Sequence, residues 1–234
     1  PHLRDLIGKP IRAKDRQGLK NIVFAGGVCA FNPEPLADYI DFFSLGEGED
    51  STVEIVRLYD RAKAEGWTRE AFLLAVSKIE GVYVPAFYEP VYDDAGRLTA
   101  VDRSHDAPKI ITKRIVEDLD NAYWPTKMIV PSTEIVHDRA NLEVFRGCIR
   151  GCRFCQAGFI YRPIREKSPE TINEQCRSIS DATGYDEISL CSLSTSDYTN
   201  IEKLIPMLFN WALKENINVS LPSLRVDNFS DELM

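Results

Sequence analysis

The chain has 234 residues, 44% of them hydrophobic, with 13 Gly and 13 Pro, enough for one large folded domain or two smaller ones. A formal charge of −8 argues against broad electrostatic binding of nucleic acid and leaves only a local basic patch open. No apolar run is long enough to span a membrane and no charged-then-apolar leader opens the sequence, so neither insertion nor secretion is expected. Six cysteines occur, Cys148, Cys152 and Cys155 clustered and Cys29, Cys176 and Cys191 scattered. That is not a secreted disulfide framework, and it predicts a reducing, cytoplasmic setting. The sequence begins at Pro1 and stops at Met234 just after a strand-like run, so a portion of a longer protein is expected.

In chain order, residues 1–20 are polar and basic and read as loop. Asn21 to Gly27 is an apolar run closed by two glycines, the pattern of a buried parallel strand ending in a tight turn. Pro33-Glu34-Pro35 opens a short helix over 36–40, and residues 41–46 form a second strand. Asp50 and Ser51 are placed to cap a helix over 52–66, with Val53, Ile55, Val56, Leu58 and Tyr59 toward a core. Thr68 caps a further helix over 68–79. Strand, helix, strand, helix at this spacing is half of a doubly wound α/β domain.

Residues 81–140 are rich in Tyr, Val and Pro and read as small β-ribbons, with Asp93-Asp94-Ala95-Gly96 as a hairpin turn. Residues 143–145 lead as a strand into the cysteine loop. Ser168-Pro169-Glu170-Thr171 is a capped helix start, and Gly184 stops that helix. A strand over 186–193, a helix over 198–215 and a strand over 218–221 follow. Successive βα units of this kind start a parallel sheet or barrel, with functional loops at the C-terminal strand ends. The cysteine loop, residues 192–197 and residues 222–227 all fall on that rim.

Cys148-x3-Cys152-x2-Cys155 puts three soft thiolate ligands in eight residues. A [4Fe–4S] cluster normally takes four cysteines, so three leave one iron open to a substrate or cofactor. Structural zinc prefers four closed ligands, and no second Cys/His pair follows; His2, His105 and His137 stand alone. Cys176 in a helix and Cys191 in a strand read as small buried residues, and Cys29 as a packed thiol. Arg146, Arg150, Arg153, Arg162, Arg165 and Lys167 form one dense basic zone, suited to an anionic cofactor assembly or a phosphate-bearing substrate.

The cysteine spacing, with aromatic Phe154 before the last cysteine, resembles the radical S-adenosylmethionine (radical SAM) superfamily. The run from Arg146 to Gly158 is similar to a subfamily with an N-terminal cobalamin-binding-like domain. Ala25-Gly26-Gly27, Pro33-Glu34-Pro35 and Gly46-Glu47-Gly48-Glu49 resemble the closing half of such a domain. The resemblance implies an α/β chain in three parts. Residues 1–80 would be the C-terminal half of a Rossmann-like (cobalamin-binding-like) domain. Residues 81–138 would link it, with short β-ribbons, to the first βα units of a radical SAM partial TIM barrel over 139–234.

It also implies an oxygen-sensitive enzyme whose Cys148, Cys152 and Cys155 hold a [4Fe–4S] cluster. The open iron would be chelated by S-adenosylmethionine, which is reductively cleaved to a 5′-deoxyadenosyl radical. Phe154 would lie against the adenine. Ser192, Ser194 and Asp197 lie where the family holds the methionine amino group; this chain has Leu193-Ser194-Thr195-Ser196 where many members carry glycines. Ser223 and Arg225 follow the third strand, and an arginine there suits the methionine carboxylate. No catalytic residue or substrate is assigned. The implied partner is an electron donor such as flavodoxin or ferredoxin. Cobalamin-supported methyl transfer is open; the Asp-x-His-x-x-Gly run of cobalamin-binding members does not occur in the sequence. The alternatives are methylthiotransferase-like sulfur insertion and a non-catalytic iron–sulfur or zinc-binding module.

Overall fold

A computed structural model of the chain describes residues 8–133 and 135–225. His2 and the end of the 222–227 loop lie outside the described residues. The chain divides into two units after Val116, inside the segment expected as a linker.

The first unit carries a three-stranded sheet in the order β1 (Phe24–Ala25), β2 (Phe42–Ser44), β3 (Val82–Tyr83). Strands β1 and β2 run parallel, with Phe24 opposite Phe42. Strand β3 runs antiparallel to β2, so this sheet is mixed. The apolar run from Asn21 gives only two strand residues, because it lies at the sheet edge: Phe24 stays 46% exposed and stacks on buried Phe42. Residues 34–36 make a single 3-10 turn in place of the expected short helix.

Helix α1 (Gly48–Ala64) starts before the expected cap. Ser51 is buried inside it and donates to the Glu47 carbonyl at 3.0 Å, so a residue expected to cap the helix packs within it. Ile55 and Ala62 form its core face, whereas Val53 and Val56 are exposed. Helix α2 (Arg69–Val76) is capped by Thr68, whose hydroxyl accepts from Ala71 N at 3.1 Å. Phe72, Leu73 and Val76 from α2 pack with Phe42, Ile55 and Val82 in one core. Beneath it Asp41 and Arg16 pair at 3.0 Å with both side chains fully buried, and Asp41 also takes Arg69. Breaking such a pair from one side strands a buried charge. The Asp93–Gly96 turn joins the antiparallel ribbon β4 (Tyr88–Tyr92) and β5 (Leu98–Arg103), as its sequence predicts.

The second unit is built on a parallel sheet in the order β10 (Asn218–Ser220), β9 (Glu187–Cys191), β6 (Ala140–Glu143). Between β6 and β9 the chain forms helix α4 (Pro169–Thr183), and between β9 and β10 helix α5 (Ile201–Ala212). Ser168 caps α4 by accepting from Thr171 N, and Gly184 ends it in the left-handed region. Ile172, Cys176 and Ile179 recur at helical spacing on α4 and are buried with Leu204, Leu208 and Trp211 of α5 and with Leu142, Ile188 and Leu190 of the sheet. Consecutive parallel strands joined through helices bring the loops after β6, β9 and β10 to the same sheet edge. Among the described residues no helix is long and apolar enough to cross a membrane.

Candidate metal and cofactor site

The cysteine loop is pinned at its base. Just after β6, strand β7 (Phe145–Arg146) pairs antiparallel with β8 (Arg165–Glu166), so the segment between them leaves and returns at one place. Gly147 begins it with a φ of +92°, a conformation open to glycine; a Cβ there would stand 2.8 Å from the Pro163 carbonyl oxygen. Cys155 N donates to the Cys152 carbonyl at 3.0 Å, closing a turn around the last two thiols. Helix α3 (Ala157–Ile160) then backs onto the loop. A Cβ on Gly158 would lie 2.9 Å from the Arg150 carbonyl oxygen, so glycine is what lets these two backbone segments meet.

Cys148, Cys152 and Cys155 are free and half-exposed. They suit an iron–sulfur cluster by donor type: soft thiols outside any disulfide, on a loop with little regular structure to resist gathering them. Among the described residues the three are not drawn into a ready-made ligand group. Phe154 is 93% exposed on the loop, an aromatic face held clear of the core.

The residues after β9 form a tied turn. Ser192 Oγ and Thr195 Oγ1 lie 2.9 Å apart, and Thr195 donates to the Pro222 carbonyl at 2.6 Å. Thr195 N donates to the Ser223 carbonyl at 3.2 Å, so the loops after β9 and β10 are stitched together. Ser194 is buried and donates to Asp197 Oδ2 at 2.8 Å. Arg150 of the cysteine loop donates through Nε to the same oxygen at 2.9 Å, and through Nη2 to Oδ1. The Arg150 bond holds the Asp197 carboxyl below its usual range against the opposing effect of burial, and Ser194 and the nearby Arg225 charge add to it. Arg225 Nη1 lies 3.9 Å from Cys152 Sγ. Ser223 is exposed, at a φ of +61°.

Asp197, Ser194, Arg225 and Cys152 are thus brought into one chain of contacts, with Ser192 and Ser223 bound to it through Thr195. Thr195 and Arg150 join the set only in three dimensions: Thr195 is a fully buried member of a Ser/Thr run, and Arg150 stands in the sequence as one basic residue of several. The basic zone is not a free cationic face. Lys167 is buried and donates to Gln175 at 2.8 Å, and Arg146 pairs with Glu143 at 2.9 Å. Cys176 is buried as expected, and burial pushes its thiol up to about 12. Cys191 and Cys29 are exposed, contrary to expectation. Cys191 is the last residue of β9, at the rim, and Cys29 lies on a surface turn.

The site is thus a loop of free cysteines at the C-terminal edge of a parallel βα sheet. Residues 142–234 match the family described as the Radical SAM superfamily, and residues 2–85 match Radical SAM proteins, N-terminal. The chain belongs to the radical SAM superfamily. It is similar to an uncharacterized protein of Methanocaldococcus jannaschii, 28% identical over 222 residues, which is 94% of this chain and 41% of the relative. The chain therefore spans less than half the length of that relative.

Proposed function

We propose that the protein is a radical SAM enzyme in which Cys148, Cys152 and Cys155 bind a [4Fe–4S] cluster. The observation that carries this is the position of three free thiols, on one pinned loop at the strand ends of a parallel sheet. The chemistry supplied there once the cluster is bound is one-electron cleavage of S-adenosylmethionine to methionine and a 5′-deoxyadenosyl radical. The chain's own part is ligation, orientation and exclusion of water. Phe154 offers an aromatic face to the adenine. Arg225 offers a guanidinium to a carboxylate, and the backbone and hydroxyls around Ser192, Ser194 and Ser223 offer polar contacts at the same edge. The electron comes from a small donor protein of the flavodoxin or ferredoxin kind, in a reducing cytoplasm that keeps the thiols free.

The test is anaerobic reconstitution of the full-length protein with iron and sulfide, followed by reduction in the presence of S-adenosylmethionine. Release of 5′-deoxyadenosine, lost in Cys152→Ala together with most bound iron, supports the reading. A reduced cluster whose EPR signal ignores S-adenosylmethionine, with no 5′-deoxyadenosine formed, defeats it and leaves an iron–sulfur or zinc module. Cobalamin-supported methyl transfer is the finer form of the proposal. A corrinoid absorption spectrum on the reconstituted full-length protein tests it, and its lack removes that form.

A further inference from the structure

We propose that Arg150 and Asp197 form a clasp that fixes the cysteine loop to the rim. Asp197 then acts as a positioning residue for the cluster ligands, not as a contact to S-adenosylmethionine. The proposal rests on the radical SAM reading for the identity of the cluster, not for the existence of the clasp.

Arg150 sits midway between Cys148 and Cys152, so its guanidinium moves with both thiols. Asp197 lies 47 residues further on, in the turn after β9. The contact is a two-pronged fork: Nε meets Oδ2 and Nη2 meets Oδ1, the arrangement in which arginine is both strongest and most directional. The Asp197 side chain is only 7% exposed. Its second partner, Ser194, is itself buried and holds the carboxylate from behind. The turn is shaped for this, since Asp197 N donates to the Ser194 carbonyl at 2.8 Å. Both carboxylate oxygens are thus engaged by the protein, which leaves little of Asp197 to offer an ammonium group.

The rest of the loop has weak anchorage of its own. Apart from the Gly147 and Gly158 approaches and the Cys152–Cys155 turn, its backbone carries no ladder. A charge-assisted fork is therefore a strong added restraint on the segment that carries the first two thiols. Arg225, from the loop after β10, reaches Cys152 Sγ at 3.9 Å, and its charge adds to the lowering of the Asp197 carboxyl.

The test uses the full-length protein, first without a cluster and then anaerobically reconstituted. In the cluster-free protein, Arg150→Ala and Asp197→Ala should each raise exchange of the Cys155 amide, the loop N–H that donates to the Cys152 carbonyl, by at least about tenfold. The double variant should add nothing further, because both changes remove one interaction. In the reconstituted protein, Asp197→Asn should alter the EPR line shape of the reduced cluster before any S-adenosylmethionine is added, and should keep the shift that S-adenosylmethionine induces. The opposite pattern, an unaltered resting signal with that shift lost, assigns Asp197 to the cofactor and overturns the proposal. So does unaltered exchange in the single variants.

Exchange in α4 reports whether the unit stays folded. If the Asp197 variants lose it, Arg150→Lys decides, since it keeps the charge and removes the fork. Raised loop exchange in that variant supports the clasp, and wild-type exchange overturns it. Failure to form 5′-deoxyadenosine would count against the radical reading alone, because the exchange result is obtained without a cluster.

Discussion

Gly158→Ala isolates how closely the cysteine loop is packed on α3. At an ordinary helical position the change would stabilise by about 0.4–1 kcal/mol, since alanine restricts the unfolded chain and favours helix. At Gly158 the new methyl would stand 2.9 Å from the Arg150 carbonyl oxygen and 3.9 Å from that of Cys148. The second is ordinary contact, but the Arg150 carbonyl is a backbone group that cannot rotate aside, so the loop or the helix must shift, at an overpacking cost of about 1–3 kcal/mol. Setting the two against each other leaves about 1 kcal/mol against the native loop position, or roughly fivefold in any equilibrium that needs it. The assay is iron retention by the anaerobically reconstituted full-length protein under a chelator, read beside thermal unfolding. Gly151→Ala is the matched control, because a Cβ there meets nothing within 4 Å. Retention should fall about fivefold in the first variant and stay unchanged in the second. Unaltered iron retention in Gly158→Ala with a raised melting temperature would refute the packing argument.

Four further outcomes are expected. Lys167→Met removes the donor to buried Gln175 Oε1 and should cost about 1–3 kcal/mol in urea unfolding, whereas Lys167→Met with Gln175→Leu should recover most of it. Burial holds the Lys167 ammonium pKa below the usual lysine range. The unfolded chain therefore binds that proton more tightly, and wild-type stability should rise relative to Lys167→Met as pH climbs from the depressed value to the ordinary one. Native alkylation at pH 8 followed by peptide mass spectrometry should label Cys29 and Cys191 and spare Cys176, whose thiol is buried and pushed up to about 12. Ser168→Ala removes the cap on Thr171 N and should lower the stability of the second unit by about 1 kcal/mol in denaturant unfolding.

Local chemistry was readable wherever it acts over a few residues. Ser168-Pro169-Glu170 and Gly184 bound α4 as their side chains and backbone freedom require. The same reasoning misplaced the start of α1, because Ser51 is drawn into the interior, where it also meets Ser44 Oγ at 3.3 Å. The apolarity of the run from Asn21 predicts a full buried strand. Only its pairing with β2 shows how little of it enters the sheet. In the site, spacing groups the thiols, and their place after strands puts Asp197 and Arg225 at the same sheet edge. The partnership of Arg150 with Asp197 is not legible in this way, since no local pattern relates residues that far apart. Cys191 differs from its expected burial because its strand is buried, but it stands at the end where the sheet gives out.

The β7/β8 pairing makes the cysteine segment a closed ring rather than a stretch of open chain. The conformational entropy of bringing Phe145 and Glu166 together is lost when the sheet forms, before any iron arrives. Ligand capture then involves only motion inside the ring. Because the closure cost grows logarithmically, doubling the ring's length would add only about 0.6 kcal/mol. Lengthening the ring is therefore cheap in closure entropy wherever the insertion leaves the close approaches at Gly147 and Gly158 in place.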